Sequence, residues 1–215
     1  MALTDIQIDL LSPQQMRDLS QDRNTLLNLP AQVYWSPRRG DFGWDEPHVN
    51  VTLHKAGMYL KEVLRIRFSP IKIPHHLPPL KVFFHGDPAP LPLDTVTNQF
   101  NPQREGHLRI YFIDFFESPA LGIALTRRNV VLLNGQSLMR PLATGLSSFG
   151  DGAQAGLTLV HEIGHSLGLE HVANPGYLMA GEVSRVSLDL LESHYESARF
   201  YGLVYQRLER IAGTL

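Results

Sequence analysis

Apolar residues recur along the chain at two spacings, one typical of helices and one typical of strands. The order of these patterns predicts the order of the helices and strands. Between Pro47 and Leu64 the apolar positions fit helical better than alternating spacing, so we expect a long early helix there. Short apolar runs predict strands, and Gly122 and Gly135 bound a region that holds two β segments or one bent strand. Strands are predicted at residues 32–36, 66–73, 81–85, 107–116 and 123–134, and later helices at 157–167 and 187–201. This order indicates an α+β fold.

The N-terminal region has a helix signal of its own. Residues 12–28 predict a short amphipathic helix, with Ser12 as its N-cap and Pro13 at the first helical position. We interpret residues 1–30 as an N-terminal arm or prosegment and residues 31–215 as a single domain.

The composition of the chain says little about its fold, but it excludes several kinds of functional site. The 215 residues, 43% of them hydrophobic, suffice for one buried core. A formal net charge of -2 gives no field that would draw the chain to nucleic acid or to an anionic membrane, so we expect neither as a partner. The sequence contains no cysteine, which excludes disulfides, thiolate metal sites and a cysteine nucleophile. Any metal must therefore bind histidines and carboxylates.

Targeting signals are not evident in the sequence. It contains no stretch of 18 apolar residues, and its first twenty residues lack the basic start and apolar run of a signal peptide. We expect no membrane span, and the location of the protein stays open, with export by another route compatible with the sequence.

The most informative segment runs from residue 161 to residue 171 and reads HEIGHSLGLEH. His161 and His165 are four residues apart, so on a helix both imidazoles can face one ion. A continuous helix would carry His171 roughly 9 Å beyond His165 along the axis, too far to share that ion. Gly168 can take the positive φ that ends a helix and turns the chain back. The spacing predicts a metal site at His161, His165 and His171.

The composition of this segment indicates catalysis as well as binding. Three neutral imidazoles leave the fourth tetrahedral position of a zinc ion open to water, as in catalytic zinc sites. Zinc lowers the pKa of such water toward about 7, and the adjacent Glu162 can accept its proton and return it to a leaving nitrogen. An accidental match of all five positions is expected on the order of once in ten thousand chains of this length. We predict one zinc ion and Glu162 as general base.

The segment resembles the extended zinc signature of the metzincins, which is followed by a turn that contains methionine. Met179 lies eight residues after His171, as in matrixins, and Pro175 and Gly176 supply turn chemistry. The resemblance implies a twisted mixed sheet, a long early helix, a zinc-binding active-site helix, a methionine turn that forms an apolar floor under the imidazoles, and a C-terminal helix. Val172 and Gly181 differ from the better known branches, so the spacing is matrixin-like and the subfamily stays unassigned.

The expected function is that of a zinc metalloendopeptidase that acts on protein or peptide substrates as a monomer. Two alternatives remain open: a peptide-binding module on a metzincin scaffold with little turnover, and a narrow-specificity hydrolase of an amide or cell-wall peptide. The triplet His85, Gly86 and Asp87 resembles the start of a structural metal loop, but it precedes the main strand at residues 107–116, so a second metal ion is not favoured.

Overall fold

The computed structural model describes residues 11–35, 44–73, 81–83, 108–116, 120–125, 129–138, 153–174, 176–181 and 188–213. Helices and strands follow one another in a mixed order. The helices are α1 (Pro13–Gln21), α2 (Glu46–Leu64), α3 (Gly135–Leu138), α4 (Ala153–Ser166) and α5 (Glu192–Gly213). The strands are β1 (Leu27–Trp35), β2 (Ile66–Lys72), β3 (Lys81–Phe83), β4 (Leu108–Phe116), β5 (Gly122–Leu125) and β6 (Val130–Asn134).

The described strands form one mixed sheet. Five of them lie in the order β2-β1-β4-β6-β5, and β3 pairs with the far end of β4. All these pairings are parallel except that of β5 with β6, which is antiparallel. The predicted α+β class and mixed sheet are confirmed, and the region at 123–134 holds two strands rather than one bent strand. β5 is the last strand at its end of the described sheet.

The core lies between one face of the sheet and the helices. Alternate residues of the central strands point to this face because side chains on a strand alternate between its two sides. They form one apolar cluster with the inward faces of α1, α2, α4 and α5. The strand members are Leu27, Leu29, Ala31, Val33 and Trp35 from β1, Ile66 from β2, Leu108, Ile110 and Phe112 from β4, and Val131 and Leu133 from β6. No helix in the described part of the chain is long and apolar enough to cross a membrane.

The predicted long helix is confirmed in α2, and its ends have clear causes. Asp45 is the N-cap, and its carboxylate accepts a hydrogen bond from the backbone N–H of His48 at 2.9 Å. At the other end Arg65 adopts a left-handed conformation with φ of 53°, and β2 begins at the next residue. The short turn places α2 directly against the sheet.

The first strand differs most from the prediction. The helix α1 begins at Pro13 with the predicted cap at Ser12, but it ends at Gln21, and β1 already begins at Leu27. Pro30 lies inside this strand, where a missing N–H would normally break the pairing. β1 pairs with β4 only from Ala31 onward, so Pro30 has a strand partner on one side alone. The prediction of a strand at 32–36 therefore missed its first half.

The ends of two helices meet at one arginine of α5. Arg199 is completely buried, and its guanidinium donates hydrogen bonds to five backbone carbonyl oxygens. The acceptors are Leu19, Ser20 and Asp22 at the end of α1, and Leu64 and Arg65 at the end of α2. α1 is thus attached to the rest of the fold, while the division into an N-terminal arm of residues 1–30 and a domain of residues 31–215 stays a prediction.

Helix α5 was placed too early and too short in the prediction, which set it at residues 187–201. It starts at Glu192 and continues to Gly213. The short helix α3 was not predicted, since four residues are too few to show a helical period.

Candidate metal centre

Helix α4 carries the first two predicted ligands. Its apolar residues Leu159, Val160 and Ile163, and Leu167 directly after the helix, are fully buried in the core. His161 and His165 lie one turn apart, and their Nε2 atoms are 3.1 Å from each other. The core face of the helix fixes its rotation, and that rotation sends both imidazoles toward the same point.

The third ligand reaches the same point after a sharp reversal of the chain. Gly168 has φ of +80°, and the N–H groups of Gly168 and Leu169 donate at 3.0 Å to the carbonyls of His165 and Gly164. This is the pair of bonds that closes a helix at a left-handed glycine. The Nε2 atom of His171 then lies 3.2 Å from that of His161 and 3.0 Å from that of His165. The predicted turn at Gly168 is confirmed.

Backbone carbonyls orient two of the imidazoles. The Nδ1 atom of His161 donates to the carbonyl of Leu178 at 2.8 Å, and that of His165 donates to the carbonyl of Leu169 at 2.8 Å. A carbonyl oxygen only accepts, so the proton of each neutral ring is on Nδ1. The lone pair on each Nε2 is therefore directed at the shared point, as in histidines that bind metal.

The segment after His171 is held by two backbone hydrogen bonds and packs on α4 through Met179. The N–H of Val172 donates to the carbonyl of Met179 at 3.0 Å, and the N–H of Leu178 donates to that of Asp189 at 2.9 Å. Met179 is buried, and its sulfur lies 2.7 Å from the place a β-carbon on Gly164 would take. Met179 therefore packs on α4 at Gly164, which lies between His161 and His165 in the chain.

Glu162 lies beside the histidine group and against strand β5. Its side chain is buried, and a β-carbon built on Gly122 would lie 2.7 Å from its Cγ and 3.0 Å from its Oε1. A cleft of about 310 Å³ opens over this carboxylate. It is lined by Ala120, Leu121, Gly122, Ile123, Ala124, His161, Glu162, His165, His171 and Gly181.

The donor set fits a small divalent cation. Three imidazole nitrogens lie 3.0–3.2 Å apart, close to the separation of about 3.3 Å that ligands 2.0–2.1 Å from a tetrahedral zinc ion have. The Nε2 lone pairs of His161 and His165 face each other, because both rings carry their proton on Nδ1. Two lone pairs at this distance repel each other unless a cation lies between them. His161, His165 and His171 are accordingly a group able to hold one metal ion.

All four predicted site residues lie in the described part of the chain and are brought together. Sequence reasoning missed the carbonyls of Leu178 and Leu169, since a backbone acceptor leaves no mark in the sequence. It also missed the contact of Gly122 with Glu162, because the sequence marks this glycine only as the boundary of the strand region predicted at 123–134. The triplet at residues 85–87 and the predicted turn residue Pro175 lie outside the described residues.

Comparison with known proteins gave likenesses of fold only. No family model and no curated protein sequence matches the chain. Among solved structures it is similar to a zinc-dependent peptidase from Methanocorpusculum labreanum, with 19% identity, a TM-score of 0.49 and coverage of 78% of this chain and 99% of that one. The archaemetzincin of Methanopyrus kandleri gives 14% identity, a TM-score of 0.47, and coverage of 86% and 96%.

A third similar structure is metalloproteinase-II from Bacteroides fragilis, with 16% identity, a TM-score of 0.47 and coverage of 79% of this chain and 51% of that one. At these identities and scores the likenesses carry no conclusion about the chemistry of this chain, which depends on its own residues.

Proposed function

We propose that this chain is a zinc-dependent endopeptidase of the metzincin type, in which His161, His165 and His171 hold the metal and Glu162 is the general base. The observation that carries the proposal is the convergence of the three Nε2 atoms to 3.0–3.2 Å, with the protons of two rings on the opposite nitrogen. Three imidazoles without thiolate or further carboxylate suit zinc and leave a coordination position open. Assignment to a matrixin-like branch stays a prediction.

A bound zinc ion supplies Lewis-acid chemistry, polarising a substrate carbonyl and making water more acidic. The side chains of the protein then divide the remaining work. The three imidazoles bind without adding charge, and the cleft places Glu162 beside them, where it accepts a proton from the attacking water and passes it to the leaving nitrogen. Glu162 is only 6% exposed, so few bulk water molecules can compete with the attacking water for its carboxylate.

The substrate is proposed to bind along β5. This strand ends the described sheet, and together with the two residues before it the strand lines the cleft with small or apolar residues from Ala120 to Ala124. An extended peptide can add to such a strand through main-chain hydrogen bonds, which requires no particular side chain. The proposal therefore favours protein and peptide substrates over small amides.

The test combines metal analysis with cleavage of a peptide library and of denatured proteins. The wild-type protein is expected to bind one zinc ion and to produce cleavage products that disappear with a chelator. Glu162→Gln keeps the size of the side chain and removes its basicity, so this variant should keep zinc and lose turnover.

Four results would contradict the proposal. Equal turnover in Glu162→Gln would exclude Glu162 as base, and absence of zinc would exclude the metal site. Tight peptide binding without products would favour a binding module, whereas cleavage restricted to one amide or cell-wall peptide would favour the narrow-specificity hydrolase.

A further inference from the structure

Strand β5 contacts the Glu162 side chain through a residue that has no side chain. A β-carbon on Gly122 would have its three nearest neighbours on one group: Cγ of Glu162 at 2.7 Å, Oε1 at 3.0 Å and Cδ at 3.1 Å. Contacts of this length lie inside the ordinary carbon–carbon separation of about 3.5–4.0 Å. Any larger residue at position 122 has to displace the carboxylate or the strand.

The backbone itself does not require glycine at this position. Among the described glycines the positive φ occurs at Gly168, whereas Gly122 begins an ordinary antiparallel strand and pairs with Leu133. Glycine in a strand costs conformational entropy and contributes no packing of its own. What the glycine supplies here is space for Glu162.

The backbone of neither partner can easily move away. The chain just before Gly122 is fixed by Asn134, whose backbone N–H donates to Leu121 at 2.9 Å and whose side-chain amide donates to Ala120 at 2.8 Å. On the other side Glu162 lies within α4, next to the buried ligand His161. A methyl group at position 122 would therefore act mainly on the Glu162 side chain, the softest part of the contact.

We propose that Gly122 is a positioning residue for Glu162: its missing side chain lets the carboxylate lie against β5 and so sets where the base stands relative to the three histidines. The catalytic meaning of this contact rests on the proposed peptidase function, whereas the contact itself does not. Gly122 carries no group that could bind the metal or a proton, so its effect on the base is exerted through the position of Glu162.

The first test is kinetic, in the full-length zinc-loaded protein. Gly122→Ala should keep one bound zinc ion and show kcat lowered by about a hundredfold, the loss expected for a catalytic group misplaced by roughly 1 Å, with KM changed far less. Gly57→Ala is the matched control, because its added carbon would meet Phe68 at an ordinary 3.9 Å. An unchanged kcat in Gly122→Ala would overturn the proposal.

The second test is a double-mutant cycle of thermal stability, which needs no turnover. With Glu162 present, Gly122→Ala should lower Tm by roughly 4–8 °C through overpacking. In the Glu162→Ala background the obstructing atoms are gone, so the same change should be neutral or slightly stabilising, since alanine restricts the unfolded chain.

The two tests separate the possible failures. Equal loss of stability in both backgrounds would overturn the proposal, even with a lowered kcat. If Gly122→Ala does not fold alone, a folded double variant supports the contact and an unfolded one contradicts it. If the wild-type protein shows no peptidase activity, the peptidase function fails, while the stability cycle still decides whether Gly122 positions Glu162.

Discussion

The sulfur of Met179 occupies the space that a side chain on Gly164 would need, 2.7 Å from the position of its β-carbon. Gly164 precedes the proposed ligand His165 in α4, and Met179 follows Leu178, whose carbonyl orients the proposed ligand His161. The close approach of helix and turn at this glycine thus brings the carbonyl within reach of the first ligand. Packing and metal geometry are coupled at this contact.

Replacement of Gly164 by alanine should separate the turn from α4. We expect Gly164→Ala to lower the free energy of unfolding by about 1–3 kcal/mol, the usual cost of an extra methyl in a packed core. Zinc affinity should fall as well, by about 10–100-fold, because the carbonyl that orients His161 is displaced. Urea unfolding and competition with a chromophoric chelator measure the two effects. Wild-type affinity in a destabilised variant would disprove the coupling.

Removal of one ligand should abolish tight zinc binding. His171→Ala leaves two imidazoles in α4 without the third, and we expect affinity to drop by more than about a hundredfold, beyond the loss seen for outer residues alone. The exposed His54 of α2 provides the control, since His54→Ala removes an imidazole outside the site. Metal analysis after dialysis against dilute chelator distinguishes the variants, and full zinc content in His171→Ala would contradict the assignment.

The sequence predicted the structure best where the position of a residue depends on local backbone geometry. The histidine spacing predicted the grouping of the three imidazoles because a helix repeats every 3.6 residues, and Gly168 predicted the reversal because left-handed backbone favours glycine. The carbonyls that orient His161 and His165 could not be predicted, since every residue has one and only the folded turn selects Leu178 and Leu169.

Long-range burial explains the remaining errors. The apolar residues near Leu27 fit a continued helix as well as a strand, and only their pairing with β2 decides for the strand. Arg199 gave no sign of its role either, because its carbonyl partners lie 134 to 180 residues away in the chain. An arginine in an amphipathic helix ordinarily suggests an exposed side chain.

Replacement of Arg199 tests how firmly α1 is held. Arg199→Met keeps the length of the side chain but removes the donor to the carbonyls of Leu19, Ser20 and Leu64, so we expect a loss of about 3 kcal/mol or more in urea unfolding. A protease should also cleave Arg199→Met near α1 faster than it cleaves the wild-type protein. Arg23→Ala is the control, because the ion pair of Arg23 with Glu192 is exposed and should contribute little. Stability equal to wild type in Arg199→Met would show that water replaces the guanidinium.

Alkaline pH should destabilise the protein through Tyr111 in β4. Burial raises the pKa of this phenol to about 12, while in the unfolded chain it lies near 10.0. Below pH 10 the hydroxyl is protonated in both states, so the ionisation of Tyr111 adds no pH dependence to the stability. As the pH rises from 10 toward 12 the unfolded chain releases this proton and the folded chain keeps it, so the free energy of unfolding falls.

The size of this effect can be isolated with one substitution. A single proton corresponds to at most about 1.4 kcal/mol per pH unit, and burial raises the pKa of Tyr205 as well, so part of the slope remains without Tyr111. Tyr111→Phe keeps the ring that stacks on Tyr34 at 4.8 Å and removes the titrating group. Urea unfolding between pH 9 and about 11.5 should give a flatter decline in this variant. An identical decline would mean that other groups govern alkaline unfolding.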